Sequence, residues 1–176
     1  MTDTKKLSPL AETVFIGEIV KQSNFADIAA DKLVMQSESD SDEIWGAIQS
    51  ILVAAANVSK ILWSPNKKYK ARGNYLRELL GIDDDNVLSN RTLRNHLEHY
   101  DERIEKWFDT NSSAAYFDAK IDPFEKTAMS LPQFFHRTYN PITREITFRH
   151  ESFDLAAILD ALAKIREKSG AFALIK

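Results

Sequence analysis

Ile44, Ile48, Ile51, Leu52, Ala55, Val58 and Leu62 return to one side of the chain at every three- or four-residue step, the period of a helix with one buried face and not of a strand. Ser39, Asp40 and Ser41 can cap its start. Asp42 and Glu43 suit the positive end of the helix dipole, and Pro65-Asn66 ends the pattern. A stripe that long needs helices to bury it, so the expected fold class is mainly α, a bundle of about five helices.

The rest of the chain supplies the partners. Leu10, Val14, Phe15 and Ile19, with Ile28 and Leu33, predict one long or two shorter helices over about 8–35. Tyr75, Leu76, Leu79 and Leu80 predict a short helix near Asn74–Leu80, closed by Gly81 in the left-handed conformation. Ser89 or Asn90 can cap a helix running to about Phe108, with Leu93, Leu97, Tyr100, Ile104 and Trp107 as its apolar stripe. A last helix from about Phe153 places Leu155, Ile158, Leu159, Leu162 and Ile165 together and stops near Ser169-Gly170.

Between these helices the rhythm changes. The acidic run Ser37–Glu43 reads as a connector, and the region from Asn111 to Pro132 has no clear period. Phe134–Tyr139 and Glu145–His150, rich in aromatic and β-branched residues, flank Asn140-Pro141-Ile142-Thr143 and predict a small C-terminal β-hairpin. The 176 residues are expected to form one domain, with a bundle over about 8–108 and 152–168 and the hairpin over about 134–150.

Composition narrows the chemistry. With no cysteine, disulfides, thiolate nucleophiles and iron–sulfur clusters are excluded. No signal-type apolar core follows Met1–Lys6 and no stretch reaches the roughly 20 apolar residues of a membrane span, so cytoplasmic residence without membrane contact is expected. A net charge of -3 argues against coating nucleic acid by bulk electrostatics. A local basic site remains open at Lys67-Lys68-Tyr69-Lys70-Ala71-Arg72, against the plainer reading of a solvated loop. No glycine-rich phosphate loop or Ser-His-Asp arrangement is visible.

The sharpest functional clue is Arg94-Asn95-His96-Leu97-Glu98-His99. On a helix from Asn90 to Phe108, at about 100° per residue, the stripe faces the core. Arg91, Asn95, Glu98, His99 and Glu102 then lie on the opposite side, with Arg94 at its edge. A guanidinium binds phosphoryl oxygens and an imidazole moves a proton near neutral pH, which suits phosphodiester chemistry without a metal. His96 and His99 point about 60° apart, so a metal site is the weaker reading. The bland alternative is a solvated face with i,i+4 pairs such as Arg94 to Glu98.

That segment resembles the R-x4-H motif of the HEPN superfamily, small helical-bundle proteins in which a polar residue follows the arginine. The resemblance covers about residues 44–108. It implies a metal-independent endoribonuclease of toxin–antitoxin or defence type, needing no cofactor and acting as a homodimer on RNA, with an antitoxin or other protein as partner. His99 would be the acid/base, Arg94 would stabilise the transition state and Asn95 would orient one of them. Arg91, Arg103, Lys70 and Arg72 would bind substrate. A second register, Arg91 to His96, overlaps the first. The runner-up is a non-catalytic HEPN-like module for dimerisation or for binding nucleotide or protein. Trp45, Trp63 and Trp107 are expected to pack in the core or an interface, and His136 and His150 to be satisfied or exposed.

Overall fold

The computed structural model describes residues 6–35, 40–111, 115–123, 134–149 and 151–173. Helix α1 (Pro9–Met35) is one continuous helix. Ile16, Ile19, Ala26 and Ala29 are buried along it, against α2 (Ser41–Leu62) and the last helix, α6 (Leu155–Ala173). Asp40 caps α2, accepting from the Asp42 backbone N–H at 3.3 Å, and the predicted stripe is buried from Ile48 to Leu62. By length and composition α2 could cross a membrane, with a mean hydropathy of 1.3 over its best window, although the sequence reading found no such stretch. In this fold 56% of that window is buried against the rest of the protein.

Helix α3 (Lys67–Leu80) starts earlier than expected, because Asn66 caps it by accepting from the Lys68 N–H at 2.9 Å. The basic segment is thus helix and not loop. Gly81 closes α3 at φ 61°, as predicted. Gly73 faces the end of α2, where an added Cβ would stand 2.4 Å from the Leu62 carbonyl oxygen; only glycine fits there. After a single 3-10 turn (Val87–Ser89), whose Leu88 carbonyl accepts from Ser59 Oγ at 2.6 Å, come α4 (Arg91–Glu98) and α5 (Tyr100–Thr110).

The hairpin is present and belongs to a larger sheet. Strands β2 (Arg137–Asn140) and β3 (Glu145–Phe148) pair antiparallel, with Arg137 opposite Phe148. Asn140 Oδ1 accepts from the Ile142 and Thr143 N–H groups in the turn. Strand β4 (Glu151–Asp154) extends the sheet antiparallel beyond β3, and β1 (Lys120–Ile121) pairs parallel to β2, giving the order β1-β2-β3-β4. The last helix therefore begins at Leu155 and not Phe153, with the Asp154 carboxylate accepting from the Ala157 N–H at 3.0 Å. It continues past Gly170 to Ala173. Of the region expected to be irregular, only 115–123 is described here apart from Asn111, and His150 lies outside the described residues. One buried apolar cluster joins α1, α2, α3, α4, α6 and the sheet.

Candidate functional site

The motif segment is not one helix. Helix α4 ends at Glu98, and His99 sits at φ -124° and ψ 35° before α5 restarts. Neither proline nor glycine stands there, and the sheet touches the two segments separately. On one side His96 stacks on Phe148, with ring centroids 5.0 Å apart, and its Nε2 meets a Glu151 carboxylate oxygen at 3.1 Å. On the other, Arg149 Nη2 donates to the Arg103 carbonyl at 2.5 Å. The sheet thus holds α4 and α5 by separate contacts, and a continuous helix over 90–108 is corrected to two.

This break redistributes the expected site. Arg94, expected at the edge of an exposed polar face, is buried. It lines a cavity of about 160 Å³ with Ser59, Asn90, Ser152 and Asp154, and its Nη1 has no hydrogen-bond partner. Burial lowers its pKa from the usual arginine value, an effect that Glu98 partly opposes. Glu98 itself pairs with Lys60 at 2.5 Å and not with Arg94. His99 is exposed and its Nδ1 lies 3.1 Å from a Glu102 oxygen; it does not line the Arg94 cavity. Asn95 is half-buried between them and Arg91 is exposed. Within one chain Arg94 and His99 do not share a cavity. Lys70 is exposed on α3, whereas Arg72 donates to the Lys60 carbonyl at 3.0 Å and lies 4.8 Å from the Phe15 ring centroid, which commits it to packing.

A different set of groups gathers where α4 and α5 meet the sheet. His96 and His136 are both buried and line one cavity of about 330 Å³. Around them are Arg103, Arg149 and Tyr116, and Arg103 Nε, Arg149 Nε, Tyr116 Oη and His136 Nδ1 are all buried without a partner. Arg137 is different, because it is held by both oxygens of Asp118 at 2.8 and 2.6 Å. Among the described residues neither Arg103 nor Arg149 has a carboxylate within ion-pair distance. Arg149 also sits at φ 57°, a conformation that costs a non-glycine residue about 1–2 kcal/mol.

The electrostatics are those of crowded cations. Burial is the main cause that pushes His136 down to about 4; Asp118 opposes it, while Arg149, Arg137 and His96 add to it. Burial also lowers His96, against the pull of its bond to Glu151, and Arg103 and Arg149 add to the lowering. Both imidazoles are therefore neutral at pH 7, in a pocket whose nearby guanidinium nitrogens lack partners. No family model, curated protein or solved structure matches this chain.

His136 and Arg149 were missed by sequence reasoning, which expected a satisfied or exposed His136. Strand pairing brings them together: the Arg149 N–H donates to the His136 carbonyl at 2.8 Å. The signal lay in the hairpin itself, where His136 and Arg149 stand at mirrored distances from the turn. Among the described residues no group of three or more His, Cys, Asp or Glu could hold a metal.

Proposed function

We propose that the protein is a HEPN-like helical module that binds a phosphorylated ligand, RNA or nucleotide, where α5 meets the sheet. The observation that carries this reading is the pair of buried, unpartnered Nε–H groups on Arg103 and Arg149. A guanidinium N–H withdrawn from water without an acceptor is costly, and a phosphoryl group relieves that cost through charge-assisted hydrogen bonds. Arginine suits it better than lysine, since its planar fork meets two oxygens at once.

The test is fluorescence anisotropy with a labelled single-stranded RNA, in EDTA and over a salt series. Arg103→Met and Arg149→Met should each weaken binding about tenfold, in line with one charge-assisted hydrogen bond. Lys70→Met, at an exposed position of α3, should do little at fixed salt. Equal affinity in both arginine variants and the parent protein, or no binding at millimolar protein, ends the reading.

A second reading is the metal-independent endoribonuclease. It is favoured by the free Arg94 Nη1 and by an imidazole, His99, exposed at the helix break where a second protomer could reach it. The RNA 2′-hydroxyl would attack its neighbouring phosphorus, one imidazole would take that proton, another would protonate the departing 5′-oxygen, and a cyclic phosphate would remain. Labelled RNA incubated in EDTA decides it: cleavage lost in both His99→Ala and Arg94→Ala supports the enzyme, and equal activity in all three proteins removes it.

A further inference from the structure

We infer that the outer face of α1 and α2 is where a second copy of this chain docks, the two α1 helices crossing antiparallel about a two-fold axis near Ile19. The inference is independent of the phosphate reading and uses no residue of the motif segment. Helix α1 carries apolar side chains on both of its sides. At about 100° per residue, Leu10, Val14, Gly17, Lys21, Phe25 and Ile28 fall within roughly 80° of one another, opposite the buried Ile16, Ile19 and Ala26. Leu10 is 75% exposed, Val14 61%, Phe25 50% and Ile28 56%. A helix on the surface of one domain needs a single apolar face, and a second one marks a surface that another polypeptide covers.

Three features point to the same chain as the cover. The stripe is its own complement: counted from a midpoint near Ile19 and Val20, Leu10 stands as far to one side as Ile28 to the other, Val14 as far as Phe25, and Glu18 as far as Lys21. An antiparallel pair therefore sets Leu10 and Val14 of each copy against Ile28 and Phe25 of the other, and Glu18 against Lys21. Within one chain those two charges are 3.9 Å apart, with side chains 41% and 62% exposed, so each remains open to a second partner. The surface is also shaped to receive itself. Phe25 and Ile28 form, with Gly46, Ser50 and Val53 of α2, a groove of about 920 Å³ into which Leu10 and Val14 of the other copy fit. Lys32 and Glu43 also line it, one of each sign. A membrane surface or a polyanion asks for cations alone, whereas a face of balanced charge suits a copy of itself. The third feature is area. With 27 residues α1 is about 40 Å long, and with α2 beside it the face is about 20 Å wide, so each copy buries roughly 800 Å², the size of a stable interface. Gly17 is exposed close to the axis, with open space where a Cβ would stand, which lets the two helices approach closely.

Sedimentation of the full chain over a concentration series, together with cross-linking, tests this. The parent protein should dimerise with a Kd of about 1 µM or tighter. Gly17→Arg should weaken the dimer at least about thirtyfold, the worth of a central interface residue. The melting temperature of the monomer should hold or rise in that variant, because the new side chain enters open space on an exposed helix face. Glu18→Lys should weaken the dimer about tenfold, and adding Lys21→Glu should restore it. The chain has no cysteine, so introduced thiols report contacts directly. A mixture of the Leu10→Cys and Ile28→Cys proteins should link by a disulfide on oxidation, faster than either variant alone. A chain still monomeric at about 100 µM overturns the proposal, even if its α1 face then captures a different protein. So does a dimer that Gly17→Arg leaves intact and in which the mixed thiols fail to link, because the two copies then meet elsewhere.

Discussion

The two ends of this molecule are built on opposite terms. Where α1, α2 and α6 pack together, buried positions are nearly all apolar; of the buried serines, Ser23 donates to the Ile19 carbonyl at 2.9 Å and Ser59 to the Leu88 carbonyl at 2.6 Å, while Ser169 Oγ has no partner among the described residues. Where α4 and α5 meet the sheet, His96 and His136 are buried and the half-buried Arg103, Arg149 and Tyr116 each withdraw one polar atom from water without a partner among the described residues. Apolar burial of the first kind contributes to folding, at roughly 25 cal/mol for each Å² removed from water. Unsatisfied polar burial of the second kind costs free energy and persists only where something else needs it. The phosphate site proposed above rests on this contrast and not on the motif.

Several measurements break or sharpen that contrast. The largest effect is expected in the bundle: Leu162→Ala, at a fully buried position on α6, should cost about 2–5 kcal/mol in denaturant titration. Gly73→Ala should cost about 1–3 kcal/mol, because the added methyl meets the Leu62 carbonyl. A third test is acidification. As pH falls from the ordinary histidine value of 6.5 to about 4, the unfolded chain takes up a proton on His136 that the folded chain refuses, so stability drops through that window. His136→Gln should flatten this part of the profile in thermal melts. Arg149→Gly should change stability by only about 1 kcal/mol, since glycine relaxes the positive φ and removes an unpartnered Nε–H, which offsets the lost bond to the Arg103 carbonyl, while RNA binding weakens. The smallest effect is at the surface, where Lys60→Ala breaks the pair with Glu98 at a cost below about 1 kcal/mol, shrinking further with salt. A large loss from Arg149→Gly, or a small one from Leu162→Ala, would reverse the comparison.

The bundle was legible because its information is local. The stripe on α2, the Asp40 cap, the left-handed Gly81 and the hairpin turn at Asn140 all follow from residues a few positions apart. The start of α3 was legible in principle, through Asn66, yet a run of lysines reads more readily as solvated loop. The break at His99 was not legible, because the contacts on either side of it come from some fifty residues further on: Phe148 and Glu151 meet His96, and Arg149 meets α5. His99 is exposed, as the one-helix reading expected, whereas Arg94, on α4 ahead of the break, is buried against that reading. The candidate site suffered the same way. His136 and Arg149 are thirteen positions apart and become neighbours only through strand register.

The fit of Gly73 against the Leu62 carbonyl bears on Lys67, Lys68 and Lys70, all exposed on the same helix. Backbone pressed directly on backbone leaves little play, so α3 is seated firmly on the end of α2. Its ammonium groups ride on a stiff mount. Their contribution to any approaching polyanion is then a standing attraction at a distance, felt before contact, and not a grip that reshapes itself around what arrives.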